Sequence, residues 1–327
     1  MDNFLKWTQD NEQSIEKSFV WKDTDQFQLI VHDTGVLEYK PRTVSNEQVI
    51  LSCAIHGNET APIEILSNIV QDFYYEKIKS QKHILFIFGN PRAINIEKRF
   101  CEENLNRLFA GALEGKSSNY ETQRAQVLIN CVESFFKEGS RKFHYDLHTA
   151  IRDSEIEKFA IFPSAMDKNV DKSQLAFLSD LGVRAVIFND GEATTFSYHS
   201  AKLFGATSYT IELGKVRPFG ENKKEDFEQT ELTLRQYIDG TYKHHTDLDN
   251  IETYIITDLI DKRAESIEFS FSDTAPNFTS FDKEQLICFN NDGDFIAKED
   301  GSKILFPNRK VRIGERAALI VVAKDLP

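Results

Sequence analysis

Three residues in two short segments could bind a metal ion. His56 and Glu59 lie three positions apart in residues 54–62 (AIHGNETAP), and His148 lies in residues 145–152 (YDLHTAIR). Imidazole nitrogens and carboxylate oxygens are zinc ligands, and three protein ligands leave a position open for water, as catalytic zinc requires. We therefore predict a zinc site formed by His56, Glu59 and His148. The competing interpretations are a capped helix start with a surface glutamate, and a core histidine near a strand end.

A fourth residue, Glu212, could move a proton at this site. It lies in residues 210–215 (TIELGK), at the end of an apolar strand pattern. A carboxylate in that position is costly unless it has a partner or a function. We predict that Glu212 is the general base, which would transfer a proton from water to the leaving nitrogen of an amide. The competing interpretation is a structural glutamate in a salt bridge, with Lys215 as a candidate partner.

A cluster of basic and amide side chains follows the second predicted strand. It covers residues 89–93 (GNPRA) and residues 99–109 (RFCEENLNRLF). A guanidinium group binds a carboxylate through two parallel hydrogen bonds, so Asn106 and Arg107 are predicted to hold one carboxylate. Arg99 is predicted to stabilise a developing oxyanion. The competing interpretation is a solvated charged loop.

Each of these segments follows a predicted buried strand, and helical patterns alternate with the strands. Because an open α/β sheet has its binding sites at the carboxyl ends of its strands, these side chains are expected to meet at one edge. The alternation predicts an α/β domain with a largely parallel central sheet. The predicted strands are residues 48–55, 83–88, 142–147 and 208–213, and the predicted helices are residues 61–75, 120–136 and 224–239.

The character of the chain changes after about residue 245. Short β-type segments follow at residues 254–257, 266–271, 286–289 and 317–322, and turn-forming residues separate them. We predict two domains, a catalytic domain of residues 1–245 and a smaller β-rich domain of residues 246–327.

Composition restricts the class of protein. The chain of 327 residues has a formal net charge of −13, which disfavours binding to nucleic acid and to anionic membranes. No run of about 18 apolar residues predicts a membrane span, and the polar start lacks a signal-peptide pattern. Four widely spaced cysteines are typical of free thiols in a reducing compartment, so a cytoplasmic location is predicted. An anionic substrate would need a local cluster of cations, and the segment with Arg99 and Arg107 supplies one.

Taken together, the segments AIHGNETAPIE, GNPRA, RFCEENLNRLF, DLHTAIR and TIELGKVRPFG resemble the succinylglutamate desuccinylase and aspartoacylase family, which is related to the zinc carboxypeptidases. The resemblance covers essentially the whole chain. It implies a zinc-carboxypeptidase-like fold, in which helices flank a mixed sheet and a smaller β-rich domain follows, and one Zn²⁺ per subunit. It also implies hydrolysis of N-succinyl-L-glutamate to succinate and L-glutamate, the last step of arginine catabolism by the succinyltransferase pathway.

The family pattern implies a role for each of the residues selected above. The ligands fall on His56, Glu59 and His148, the base on Glu212, the oxyanion-stabilising arginine on Arg99 and the carboxylate-binding pair on Asn106 and Arg107.

Two positions depart from this pattern. Asn104 stands where aspartoacylases favour Asp, and Lys202 stands where relatives usually have Arg. A lysine holds a carboxylate as a point charge and does not match the fork of an arginine. The candidate partners of the two remaining substrate carboxylates are Arg152, Lys202, Lys215 and Arg217.

Three other functions compete with this interpretation. The first is deacylation of another N-acyl amino acid, such as N-acetylaspartate, and the second is a peptide carboxypeptidase. The third is a non-catalytic zinc- or ligand-binding protein, which Glu212 argues against because binding alone needs no base. The expected partner is a small anionic substrate, with no nucleic acid and no membrane, and association into a homo-oligomer is allowed for.

Overall fold

The structure is a computed structural model that describes residues 2–43, 45–164, 166, 170–289 and 293–327. In these ranges, none of the helices is long and apolar enough to cross a membrane. The helices are α1 Phe4–Asp10, α2 Thr60–Tyr74, α3 Pro91–Asn95, α4 Tyr120–Phe135, α5 Lys172–Asp180, α6 Phe196–Phe204 and α7 Lys224–Asp239, with one 3₁₀ turn at Leu105–Arg107. The strands are β1 Phe19–Asp23, β2 Phe27–Asp33, β3 Val36–Pro41, β4 Glu47–Cys53, β5 His83–Phe88, β6 Arg141–Ala150, β7 Phe159–Phe162, β8 Ala185–Phe188, β9 Thr207–Lys215, β10 Glu252–Asp261, β11 Glu268–Phe269, β12 Ser280–Phe281, β13 Leu286–Phe289, β14 Phe295–Ile296, β15 Ser302–Leu305 and β16 Arg316–Ala323.

Thirteen of these strands form one large mixed sheet, in the order β1-β2-β3-β5-β4-β6-β9-β7-β8-β10-β16-β15-β12. The pairs from β5 to β9 are parallel, as are the pairs from β7 to β10. Antiparallel pairs occupy both ends of the sheet, and one further antiparallel pair, β9 with β7, lies between the two parallel groups. The predicted α/β class with a mixed sheet flanked by helices is confirmed, and the parallel pairing is concentrated in its centre.

Strand β4 shows how the sheet buries both of its faces. Val49, Leu51 and Cys53 pack on one side with residues of α2, α5 and α7, whereas Ile50 packs on the other side with residues of α4 and α6. Successive side chains of a strand point to opposite faces, so a strand covered by helices on both sides needs a nearly continuous apolar run. The sequence QVILSC provides that run.

Three neighbouring parallel strands, β4, β6 and β9, end at the same edge of the sheet. His148 near the end of β6 is the register partner of Glu212 on β9. Strand β4 ends three residues before His56, and β5 leads into the segment that contains Arg99. The topology therefore brings the predicted site segments to one edge.

Several elements were not predicted from the sequence. They are α1, α3, the antiparallel strands β1 to β3, the stretch that contains β7, α5, β8 and α6, and the short strands β12, β14 and β15. The segment predicted as a strand at residues 266–271 is a strand only at Glu268–Phe269, where it pairs with β13 at two positions.

The C-terminal part is smaller and β-rich, as predicted. Strands β11, β13 and β14 form a separate three-stranded sheet, whereas β10, β12, β15 and β16 belong to the large sheet. Strand β10 pairs in parallel with β8 and antiparallel with β16, so the large sheet continues past residue 245. A separate hydrophobic cluster, which includes Ile260, Phe281 and Ile304, forms the core of this part. The predicted boundary between residues 245 and 246 stays a prediction.

Candidate metal-dependent active site

The structure brings His56, Glu59 and His148 together in a buried cluster. The Nδ1 atom of His56 lies 2.7 Å from Glu59 Oε1, and the Nδ1 atom of His148 lies 2.9 Å from Glu59 Oε2. One potential ligand atom from each residue lies within 4.8 Å of the other two. Two imidazoles and a carboxylate at this spacing can hold one metal ion.

The outward nitrogens of both imidazoles, which are the Nε2 atoms on the side away from Glu59, each lie close to a hydrogen-bond acceptor. The Nε2 atom of His56 lies 3.0 Å from Asn104 Oδ1, and the Nε2 atom of His148 lies 2.9 Å from Asp146 Oδ2. The Asn104 oxygen also accepts a hydrogen bond from the backbone N–H of Asn106, which fixes the orientation of its amide. These oxygens can accept the Nε2–H groups, so the Nδ1 atoms are the ring nitrogens that face Glu59. In a neutral ring held in this way, the lone pair on Nδ1 is the one that can bind a metal.

Opposing effects determine the charges in the cluster. Burial lowers the pKa of His56 to about 4, and the nearby Arg99 charge acts in the same direction. Burial would also lower the pKa of His148, but Asp146 and Glu59 outweigh it and raise that pKa well above its usual value. Burial would raise the pKa of Glu59, but the two histidines hold it well below its usual range. Glu59 is therefore an anion.

The backbone before Glu59 follows a tight turn. Ala54 has a positive φ of 54°, a conformation that turns the chain sharply after β4. A Cβ atom on Gly57 would lie 2.1 Å from the carbonyl carbon of Ala93 at the start of α3. Only glycine allows the two backbones to approach so closely. The Gly57 N–H donates to the Arg99 carbonyl at 3.2 Å, which ties this turn to the arginine segment.

Glu212 is a buried carboxylate whose Oε2 atom has no hydrogen-bond partner among the described residues. Burial raises its pKa to about 7, and Glu59 and Asp146 also raise it, against the effects of His148 and Arg99. The alternative of a salt bridge with Lys215 is wrong. Lys215 instead pairs with Asp153 at 2.6 Å.

The structure gives the predicted anion-binding residues different partners. Arg99 donates from Nη1 to Glu59 Oε1 at 2.8 Å, so it lies directly beside the cluster. Asn106 is buried, and its side-chain oxygen accepts a hydrogen bond from the backbone N–H of Phe196 at 2.8 Å. Its side-chain N–H groups have no partner among the described residues. Arg107 donates to the Asn106 carbonyl at 2.9 Å, and its side chain is exposed.

The side chain of Arg152 makes hydrogen bonds within the protein. Its guanidinium donates to the carbonyl groups of Asp273 at 2.6 Å, Ala275 at 2.5 Å and Pro307 at 2.9 Å. These hydrogen bonds join the end of β6 to the C-terminal part of the chain. Within the described residues, its guanidinium has no hydrogen bond to a residue of the cluster.

Lys202 lies on the exposed face of α6, and Arg217 lies close to the cluster. Lys202 pairs with Glu192 at 3.2 Å. The Arg217 carbonyl accepts a hydrogen bond from Thr60 Oγ1 at 2.7 Å, directly after Glu59 in the chain. The Arg217 side chain is half-buried and has no partner among the described residues.

One supporting residue, Glu121, was missed in the sequence. Its buried carboxylate accepts hydrogen bonds from three consecutive backbone N–H groups, those of Cys101 at 2.6 Å, Glu102 at 3.1 Å and Glu103 at 3.3 Å. It therefore holds the loop between Arg99 and Asn106. Its only signal in the sequence is an acidic residue in the first turn of a helix, which is common.

A buried chain of polar side chains behind His148 was also missed. Asp146 accepts from Ser52 at 2.5 Å, and Ser52 lies 2.8 Å from His144, whose Nδ1 atom lies 2.8 Å from Ser200 on α6. This chain fixes the Asp146 carboxylate that orients His148. The residues are far apart in the sequence, so no local pattern reveals it.

Comparison with known proteins identifies similar sequences and folds. Residues 45–238 match the family model described as the succinylglutamate desuccinylase/aspartoacylase catalytic domain, and residues 249–324 match that of the AstE/AspA barrel-sandwich hybrid domain. The predicted domain boundary falls between the two matches.

Relatives are similar over nearly the full chain. A succinylglutamate desuccinylase from Idiomarina loihiensis is 44% identical, with 98% of this chain and 95% of the relative covered, and one from Pseudoalteromonas atlantica is 40% identical, with 91% and 88% covered. The solved structure of the Vibrio parahaemolyticus protein has a TM-score of 0.89 at 33% identity and covers 98% of this chain and 95% of its own. That of the Vibrio cholerae protein has a TM-score of 0.90 at 32% identity and covers 99% and 95%.

Proposed function

The chain belongs to the succinylglutamate desuccinylase/aspartoacylase family, and on that basis we propose that it hydrolyses N-succinyl-L-glutamate to succinate and L-glutamate. This reaction is the last step of arginine catabolism by the succinyltransferase pathway. The observation that carries the proposal is a buried His–Glu–His cluster beside a buried glutamate whose carboxylate lacks a partner among the described residues.

The metal of the proposed reaction is one Zn²⁺ per subunit, held by His56, Glu59 and His148. The donor set of two nitrogens and one carboxylate supports this choice, as do the acceptors that fix both rings. When bound, zinc supplies a Lewis acid that polarises the amide carbonyl and makes water a stronger acid.

The proton and charge transfers fall to residues of the chain. Glu212 takes a proton from the attacking water and passes it to the departing amine of glutamate. Arg99 lies beside the cluster and stabilises the negative charge that develops on the carbonyl oxygen. Asn106 and Arg107 hold the α-carboxylate of the glutamate half, with one amide and one guanidinium group.

The predicted substrate roles of Arg152 and Lys202 stay predictions. The donors of Arg152 already bind three carbonyl groups, and Lys202 already pairs with Glu192. Arg217 is the candidate that we propose for the succinyl carboxylate, because its backbone contacts Thr60 beside the cluster and its side chain has no partner among the described residues.

A panel of N-acyl amino acids tests the proposed function. Release of the free amino acid, glutamate or aspartate, is measured with purified protein after metal analysis, on N-succinyl-L-glutamate, N-acetyl-L-glutamate and N-acetyl-L-aspartate. We expect about one zinc per chain, in line with a single three-ligand site, and the highest kcat/KM on N-succinyl-L-glutamate. A preference for N-acetyl-L-aspartate would instead support the aspartoacylase-like alternative, and zinc binding without turnover would support a binding protein.

Two further properties belong to this proposal. We propose a cytoplasmic location, which the four free cysteines support because thiols persist in reducing compartments. The homo-oligomer stays a prediction, and analytical ultracentrifugation would test it.

A further inference from the structure

A chain of buried hydrogen bonds begins on helix α6 and ends at His148. The Oγ atom of Ser200 on α6 lies 2.8 Å from His144 Nδ1, and His144 Nε2 lies 2.8 Å from Ser52 Oγ. Ser52 Oγ donates to Asp146 Oδ1 at 2.5 Å, and the other oxygen of Asp146 lies 2.9 Å from His148 Nε2. We call these five residues the α6–His148 chain.

The sheet places four of the five side chains on one face. His144, Asp146 and His148 alternate along β6, and alternate residues of a strand point to the same face. Ser52 on β4 is the register partner of Asp146 on the neighbouring parallel strand. Helix α6 packs on this face and brings Ser200 to His144. The distances in the chain are therefore fixed by strand register and helix packing.

The hydrogen bonds of this chain have one consistent direction. A carboxylate accepts and does not donate, so the Ser52 hydroxyl and the His148 Nε2–H group both donate to Asp146. Ser52 can then only accept from His144, which must carry its hydrogen on Nε2. Burial lowers the pKa of His144 to about 4, against the charge of Asp146, so the ring is neutral and its Nδ1 atom accepts from Ser200. Every donor thus points toward Asp146.

Burial makes each hydrogen bond depend on its neighbours. Ser52, His144, Asp146 and Ser200 are each 0% exposed, so solvent cannot replace a lost partner. Removal of the Ser52 hydroxyl would leave the Nε2–H group of His144 without its acceptor and Asp146 Oδ1 without its donor. A carboxylate that has lost one of its donors is free to turn, and the His148 ring that it orients is then held less firmly.

Helix α6 is also attached to the loop that carries the proposed anion-binding residues. The backbone N–H of Phe196, the first residue of α6, donates to the side-chain oxygen of Asn106 at 2.8 Å. The backbone N–H of Ala110 donates to Nδ1 of His199, the residue before Ser200, at 3.2 Å. These contacts fix the helix that supplies the first hydroxyl of the chain.

We propose that Ser52 and His144 are positioning residues for metal binding, which hold the Asp146 carboxylate so that His148 keeps its Nδ1 atom directed at the metal. The inference rests on the zinc site of the proposed function. Partners behind a metal ligand typically change metal affinity about 10- to 100-fold. A purely structural role would change the stability of the fold and leave zinc affinity as it is.

The affinity of the purified full chain for Zn²⁺ tests the proposal. The metal is first removed, and zinc is then titrated in competition with a chromogenic chelator. We expect Ser52→Ala to raise the Kd for zinc about 10- to 100-fold.

The matched control is Ser208→Ala. Ser208 on β9 is also fully buried, and it donates to the Ser197 carbonyl on α6 at 2.7 Å, outside the α6–His148 chain. Its Kd for zinc should stay within about twofold of the wild type, because Ser208 contacts neither a ligand nor the acceptor of a ligand.

Two variants of His144 test the next position of the chain. His144→Phe keeps a ring but has no N–H group for Ser52, so the Kd for zinc should rise. His144→Gln supplies a side-chain N–H that can donate to Ser52, so it should recover part of the affinity. Urea unfolding of the metal-free proteins measures the structural cost of each change separately. If Ser52→Ala does not fold, this pair decides the proposal in the same way.

The possible failures are distinct. If the wild type binds no zinc, the proposed metal site and the inference both fall. If it binds zinc but releases no glutamate from N-succinyl-L-glutamate, the proposed function falls, while a weaker zinc affinity of Ser52→Ala alone still supports the inference. If Ser52→Ala binds zinc as tightly as the wild type, or Ser208→Ala weakens binding equally, only the inference falls. Equal zinc affinities of His144→Phe and His144→Gln would overturn the role of His144.

Discussion

At the residue scale, this site is distinguished by which of its polar side chains have hydrogen-bond partners and which do not. His56 and His148 each have an acceptor on the outward nitrogen, which leaves both Nδ1 atoms facing Glu59. Glu212 is equally buried, yet its Oε2 atom has no partner among the described residues. A buried carboxylate without a partner costs stability, which supports the proposed role of Glu212 in proton transfer.

Glu212→Gln should therefore separate catalysis from metal binding. The amide keeps the size of the side chain but cannot accept the proton of water, so kcat should fall by about 10²- to 10⁴-fold. The zinc content should equal that of the wild type, because Glu212 is not a ligand in the proposed site. Glutamate release and metal analysis measure the two effects, with the exposed Glu225→Gln as the control. Wild-type turnover in Glu212→Gln would refute its assignment as the base.

At the element scale, the loop between β5 and α4 carries the proposed anion-binding residues, and one buried carboxylate holds it. Glu121 accepts from three consecutive N–H groups of this loop and from the side chain of Asn90 at 3.1 Å. A carboxylate is an acceptor only, so its two oxygens can serve all four donors. The first turn of α4 thus positions the arginine segment.

Glu121→Gln should loosen this loop. The amide replaces one acceptor oxygen with an N–H₂ group that faces N–H donors, so the free energy of unfolding should fall by about 1–3 kcal/mol. KM for N-succinyl-L-glutamate should rise because Asn106 and Arg107 are less well ordered. Urea unfolding and steady-state kinetics measure both, and Glu114→Gln, exposed in the same loop, is the control. An unchanged KM would show that Glu121 does not support the site.

A second buried carboxylate connects the strands β2, β3 and β5. Glu38 on β3 accepts from His32 on β2 and from His83 on β5. Burial would raise the pKa of Glu38, but the hydrogen bonds and charges of the two histidines outweigh it and lower that pKa to about 2. The usual value is 4.5, so this carboxylate stabilises the fold above about pH 4.5, and the contribution disappears as the pH falls toward 2.

Glu38→Gln should accordingly flatten the acid dependence of stability. We expect the free energy of unfolding to be about 1–3 kcal/mol lower than wild type at pH 7, and the difference to vanish near pH 2. Urea unfolding at a series of pH values measures this, with the exposed Glu16→Gln as the control. A constant difference between Glu38→Gln and wild type across that range would contradict the linkage.

At the scale of the whole molecule, the C-terminal part is joined to the site strands by a continuous sheet and by Arg152. The large sheet runs from β8 into β10 and β16, and the Arg152 guanidinium binds carbonyl groups around residues 273–275 and 307. The C-terminal part is thereby joined to the end of β6, the strand that carries His148.

Arg152→Ala tests whether this residue joins the two parts or binds substrate. Loss of three hydrogen bonds from a charged donor should lower the free energy of unfolding by about 2–4 kcal/mol. The control is Arg184→Ala, because the exposed side chain of Arg184 donates, within the described part of the chain, only to the nearby carbonyl groups of Ser179 and Val183. A higher KM at unchanged stability would instead support the predicted role of Arg152 in binding the substrate.

The sequence by itself determined the class of fold and identified the candidate reacting groups. His56, Glu59, His148 and Glu212 could be selected because metal binding and proton transfer require particular side chains and because each follows a local strand pattern. The parallel neighbours β4, β6 and β9 could be predicted for the same reason, since buried strands read as apolar runs. The alternating strands β1 to β3 and the irregular C-terminal strands carry weaker patterns and were missed or misjudged in length.

Only the tertiary structure decided which cations are free to meet a substrate. Arg152 and Lys202 look suitable in the sequence, but the fold gives them carbonyl and carboxylate partners. Local patterns report local structure, whereas the charge available at a site depends on contacts between residues far apart in the chain.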